Sequence, residues 1–112
     1  MILSALLGAA LATTEMPLGR CNYAKVVGGR QGITVYKAHS VGSPRVARLR
    51  RGTTVYVCDE FRREDGSDRW VEVRFKNARH PCFAKSEGIE MGKARFCQAG
   101  WTQENYIEVL SG

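Results

Sequence analysis

At 112 residues, with 44% hydrophobic and 25% charged side chains, the chain has room for one globular domain and the composition to fold it. These values exclude a disordered chain and a multi-domain one. The net charge of +6, from 17 basic and 11 acidic residues, favours anionic partners through long-range attraction and also aids solubility.

In chain order, residues 1–12 are an uncharged apolar run, with no basic residue ahead of it, that ends in Ala10-Leu11-Ala12. That ending fits the small-x-small pattern of a signal-peptide cleavage site. The run is too short to span a bilayer and has no polar face for an amphipathic helix. A signal segment is therefore expected over residues 1–12, with about residue 20 as its outer limit, and a periplasmic or secreted domain over 21–112. Arg20 stands directly before Cys21, where a lipoprotein anchor needs a small residue, so no stable membrane anchor is expected after processing.

Twelve glycines and three prolines indicate many turns and short strands. Residues 13–32 are a turn-rich lead-in with a first short strand near Cys21–Val27. Ile33-Thr34-Val35-Tyr36 alternates apolar and polar positions, as a half-buried strand does. Gly42-Ser43-Pro44 marks Lys37–Arg45 as a loop. Val46–Leu49 is short and apolar, and Arg50-Arg51-Gly52 turns the chain. Thr53–Phe61 is the clearest strand, rich in β-branched and aromatic residues. Asp65-Gly66 is a hairpin signal, and Trp70–Phe75 alternates again, so the two strands should pair. Residues 76–99 form a long irregular insertion holding two of the four cysteines. Gly100-Trp101-Thr102 re-enters regular structure, and Asn105–Leu110 closes the chain as a last strand. The expectation is an all-β fold, a small barrel or sandwich of five to six short strands.

Cys21, Cys58, Cys82 and Cys97 all lie beyond the apolar run. Four cysteines in a short exported chain predict a disulfide framework, with three possible connectivities. Cys82–Cys97 is the first choice because the pair brackets the insertion. Cys21–Cys58 then pins the lead-in to the outer face of the Thr53–Phe61 strand. Zinc is disfavoured because no two cysteines have the close spacing of structural sites. His80 as a base for a catalytic Cys82 is disfavoured too, since Pro81 intervenes and no orienting acid is near. No catalytic residue, metal or cofactor is expected, and the chain reads as a non-enzyme.

Four stretches resemble the bacterial SH3-like (SH3b) domain family. Ile33-Thr34-Val35-Tyr36 is similar to its "L-N-V-R" opening, and Val46 to Val55 to its "I-G-x-L-x-x-G-x-x-V" stretch. Trp70-Val71-Glu72-Val73 matches "W-x-x-V", and Gly100-Trp101-Thr102 with Tyr106-Ile107 matches "G-W-V…Y-L". The resemblance runs from Ile33 to Val109 in order, apart from the insertion. Tyr36-Lys37-Ala38-His39 replaces the family's "R-S-G-P", losing the Gly-Pro turn. The resemblance implies a small SH3-like barrel with a long disulfide-tied insertion. It also implies an exported module that binds peptidoglycan peptides or other envelope components.

Alternation places candidate ligand residues. With Val55, Val57, Val71, Val73 and Phe75 inward, Tyr56, Cys58, Trp70, Glu72 and Arg74 face outward. The resemblance implies that an outward Trp70 beside the hairpin loop is the floor of an aromatic ligand groove, with Tyr36 and His39 as its facing wall. Trp101 and Tyr106 are further candidates at the groove edge, with a core role as the competing reading. For Trp70 the competing reading is burial under the 76–99 insertion. Thr102-Gln103-Glu104-Asn105 precede Tyr106 where proline-binding SH3 domains place a proline, so a polyproline ligand is not favoured.

The leading expectation is a non-catalytic binding module of the bacterial envelope that recognises a cell-wall component or a protein partner, with anionic partners favoured. The first alternative is a secreted inhibitor or immunity-type protein acting through 76–99. The second is a nucleic-acid binder, if the chain stays inside the cell, using the run of basic residues from Arg45 to Arg79. Nucleic acid is disfavoured by the expected export.

Overall fold

The structure is a computed structural model that describes residues 19–79 and 82–111. The apolar run and its cleavage site, and His80 and Pro81, lie outside the described residues.

The chain is all-β, as its turn and alternation pattern predicts. β1 (Arg20–Val26), β2 (Ile33–Tyr36), β3 (Arg45–Leu49), β4 (Thr54–Arg62) and β5 (Arg69–Phe75) come first. β6 (Ile89–Glu90), β7 (Gln98–Gln103) and β8 (Ile107–Ser111) follow, with 3-10 turns at Met91–Phe96 and Glu104–Tyr106. All pairings are antiparallel, in the spatial order β3-β2-β7-β5-β4-β1-β6, and β8 also pairs with β1. Among the described residues, eight strands therefore stand where five or six were expected. The insertion supplies β6, which gains its partner only by folding back onto Arg20 and Cys21 of β1.

The inner faces of β1, β2, β4 and β5 build one apolar core of Ala24, Val26, Ile33, Val35, Val55, Val57, Val71, Val73 and Phe75. β-Branched residues predominate because their stiff side chains pack well on a pleated surface. Val46, Ala47 and Leu49 of β3, with Ile107 of β8, close on the same core from the ends of the sheet. Gly100 permits this closure. A Cβ there would collide with Val35 Cγ1 and lie 3.0 Å from both Tyr36 O and Val46 Cγ2.

The hairpin between β4 and β5 turns at Asp65-Gly66, as expected, with Gly66 at φ 76°. The Ser67 hydroxyl and backbone N–H donate to Asp65 Oδ1 at 2.6 and 2.9 Å, which holds that carboxyl below its usual range.

Both disulfides have the expected pairing, Cys21–Cys58 and Cys82–Cys97. They anchor a second cluster on the outer side of the sheet, made by Cys21, Tyr56, Cys58, Cys82, Ala94 and Cys97 with Ile89 and Met91 against it. The insertion is thus a packed cover over one end of the outer face. Polar contacts fasten it: Tyr56 Oη donates to Phe83 O and accepts from Lys85 N–H, and Arg74 Nη1 donates to Ala94 O at 3.1 Å. β4 is consequently buried on both sides at Val55–Cys58.

Candidate functional site

The end of the outer face left clear by the insertion carries an aromatic group. Tyr36 is paired with Trp101 across β2 and β7, and Trp101 with Glu72 across β7 and β5. The Tyr36 ring meets Trp70 edge-on at 6.0 Å. His39 stacks on Phe61 at 3.8 Å with planes 6° apart, and meets Trp101 edge-on at 5.2 Å. The structure therefore gathers Tyr36, His39, Trp70 and Trp101, four of the five candidates, and adds Phe61.

Phe61 is invisible to simple alternation, which from Val55 and Val57 carries it to the inner side. A β-bulge decides otherwise. Val57 opposes Val73, but Asp59 opposes Glu72, so Cys58 is an extra residue and every later side chain of β4 switches face. Phe61 lands opposite Trp70 and beside His39. The signal available in the sequence is the polar Asp59-Glu60 pair, which breaks the alternation after Cys58.

Trp70 requires a correction. Its strand position is on the outward side, as alternation predicts, but the indole is only 2% exposed. It is not an open groove floor. Tyr36 covers its edge, and Nε1–H donates to Asp68 Oδ1 at 2.7 Å, which satisfies the buried donor. The neighbours that surround the indole, Tyr36, Asp68 and the cross-strand Phe61 and Gln103, all lie outside the insertion.

The open feature lies on the other side of Tyr36. A cleft of about 280 Å³ is lined by Gly29, Gly32, Ile33, Thr34, Tyr36, Val41, Thr102, Gln103 and Tyr106. Tyr106, separate from the aromatic group, thus joins Tyr36 across this cleft. It is half-buried, and its ring lies where a Cβ on Gly28 would be. Its carbonyl accepts from Val27 N–H at 2.8 Å. Both competing readings of Tyr106 therefore apply: one face packs on the core, another lines the cleft.

Loop 37–44, expected as irregular, is held by its own serines. The single Ser43 Oγ–H is shared between Ser40 O at 2.8 Å and Ala38 O at 3.1 Å, Ser43 Oγ accepts from Ala38 N–H, and Ser40 Oγ accepts from Gly42 N–H. These contacts close the loop without a Gly-Pro turn. They carry His39 to Phe61 and leave Val41, 66% exposed, at the mouth of the cleft.

On the opposite part of the molecule, Phe83 and Phe96 are 66% and 59% exposed and directly adjoin the Cys82–Cys97 bridge. Lys76 Nζ sits 4.4 Å over the Phe83 ring and the Arg95 guanidinium 4.6 Å over the Phe96 ring. All four cysteines are disulfide-bonded, so Cys82 is no free thiol. No group of three or more metal-ligating side chains occurs among the described residues.

Neither protein-family models nor curated proteins nor solved structures match this chain.

Proposed function

We propose that the protein is an exported, non-catalytic binding module of the SH3b type. It takes an extended peptide, from a cell-wall component or a protein partner, in the cleft between Tyr36 and Tyr106. The observation that carries this is the cleft itself: two tyrosines and an exposed valine around an open trough, backed by the packed Tyr36–Trp70 pair. Rigid aromatic walls suit an extended backbone because they give contact area with little ordering cost. The ordered motifs from Ile33 to Val109 support the family reading. Two disulfides are compatible with an oxidising compartment outside the cytoplasm.

The test is a titration of the isotope-labelled, oxidised protein with soluble peptidoglycan fragments and with displayed-peptide hits. Amide shifts are expected at Tyr36, Val41, Gln103 and Tyr106. Val41→Ser, at an exposed position, should weaken binding about tenfold with an unchanged melting temperature. Saturable binding with no shift at these residues would overturn the cleft reading.

A second reading rests on Phe83 and Phe96. Two exposed phenylalanines fixed beside a disulfide form a ready contact for an inhibitor or immunity-type protein that blocks an enzyme through its insertion. Shifts confined to these two residues in the presence of a protein partner would favour it.

A further inference from the structure

The positive charge of the chain is segregated. Between Glu15 and Asp59 there is no acidic residue at all, while eight lysines and arginines fall in that stretch. Folding concentrates four of those arginines at two adjoining turns. Gly32 N–H donates to Gly29 O at 2.9 Å, closing one turn, and Thr53 N–H donates to Arg50 O at 3.0 Å, closing the other. Arg48 ties the first turn to the sheet: its guanidinium donates to Gln31 O at 2.8 Å and to Thr34 Oγ1 at 3.1 Å.

The result is a notch of about 330 Å³ lined by Arg30, Gln31, Gly32, Arg50 and Arg51. Among the described residues the ion pairs are Arg62–Glu60, Arg63–Asp68, Arg69–Glu104 and Arg74–Glu72, all on β4, β5 and the turns beside them. None of them neutralises the notch arginines. Three exposed guanidinium groups with no acidic side chain lining the notch beside them give an entering anion a net attraction. Guanidinium groups also offer paired N–H donors that match a carboxylate.

Gly32 lines both the notch and the Tyr36–Tyr106 cleft, so the two adjoin there and a ligand crossing Gly32 would meet both as one trough. We propose that the trough selects an acidic peptide: an apolar or aromatic side chain lies beside Tyr36 and Val41, and carboxylates on neighbouring residues lie between Arg30, Arg50 and Arg51. This rests on the cleft being the binding site and adds the chemistry of what occupies it.

The experiment is selection of random dodecapeptides displayed on phage against the oxidised full-length protein, followed by anisotropy with the best labelled peptide. The expected consensus is one or two apolar or aromatic positions flanked by aspartate or glutamate. Arg50→Gln with Arg51→Gln should weaken that peptide about tenfold or more, as should replacing its acids by amides. Val41→Ser should weaken it too, whereas Arg62→Gln, at an ion pair outside the trough, should not. Each remaining outcome overturns the proposal differently. A neutral or basic consensus that still depends on Val41 leaves the cleft standing and removes the notch. An acidic consensus indifferent to Val41→Ser, with sodium polyphosphate competing at equal strength, makes the notch a general polyanion surface. No enrichment at all removes the cleft reading and the acidic peptide together.

Discussion

Trp70 carries a structural duty that its position on the outward side disguises. Its indole fills the space behind Tyr36, and its N–H has one partner, the Asp68 carboxylate at 2.7 Å. Trp70→Ala should therefore cost about 3–5 kcal/mol, the range for removing a buried aromatic ring. Trp70→Phe keeps most of the ring but removes the donor to Asp68 Oδ1, leaving Arg63 on Oδ2, at a cost of about 1 kcal/mol. Denaturant unfolding of the three proteins measures both differences. A Trp70→Ala protein with wild-type stability would mean that the ring is not part of the packed structure. Binding studies should accordingly alter Val41, which is exposed, and leave Trp70 in place.

The insertion and the bulge show how whole elements set the outer face. Residues 76–99 are anchored by the Cys82–Cys97 bridge, by β6 on β1 and by Tyr56 and Arg74 from below. The two bridges close loops of different length, with sequence separations of 15 and 37. In the chain-entropy description they contribute about 3 and about 4 kcal/mol. The paired Cys82→Ala, Cys97→Ala protein should keep the inner core and lose protection from hydrogen exchange chiefly across 82–97. The Cys21→Ala, Cys58→Ala protein should lose more in global stability, because that bridge joins β1 to β4 within the sheet. Equal exchange throughout the first variant would show that the insertion holds without its bridge.

Across the whole molecule, charge and redox state are the measurable consequences. Acidic residues begin at Asp59 in the described chain and supply every carboxylate of its ion pairs, while the preceding stretch is wholly basic or neutral. This polarity predicts ligand binding that weakens as salt rises from about 50 to 300 mM, since screening shortens the reach of exposed charges. Salt-independent affinity would point to the apolar cleft alone. Alkylation of the protein purified from its own cells, without reductant, should label no cysteine, and reduction should expose four. Four reactive thiols before reduction would remove the case for export.

Much of the fold was legible in the chain. The strands, the Asp65-Gly66 hairpin and the inward positions follow from a period of two and from turn chemistry, which are local properties. Cys82–Cys97 was legible because a long irregular segment needs a tether, and Cys21–Cys58 followed by elimination. Alternation put Tyr36, Trp70 and Trp101 on one face, but they meet because β7 lies between β2 and β5, strands that are not its neighbours in sequence. The burial of Trp70, the outward turn of Phe61 and the notch of Arg30, Arg50 and Arg51 were decided by the tertiary structure. One bulged residue flips a strand face, and the turns at Gly29–Gly32 and Arg50–Thr53 adjoin because β2 pairs with β3 so that Ile33 lies opposite Leu49. Such outcomes depend on contacts between distant residues, whose summed packing outweighs the local alternation that the sequence displays.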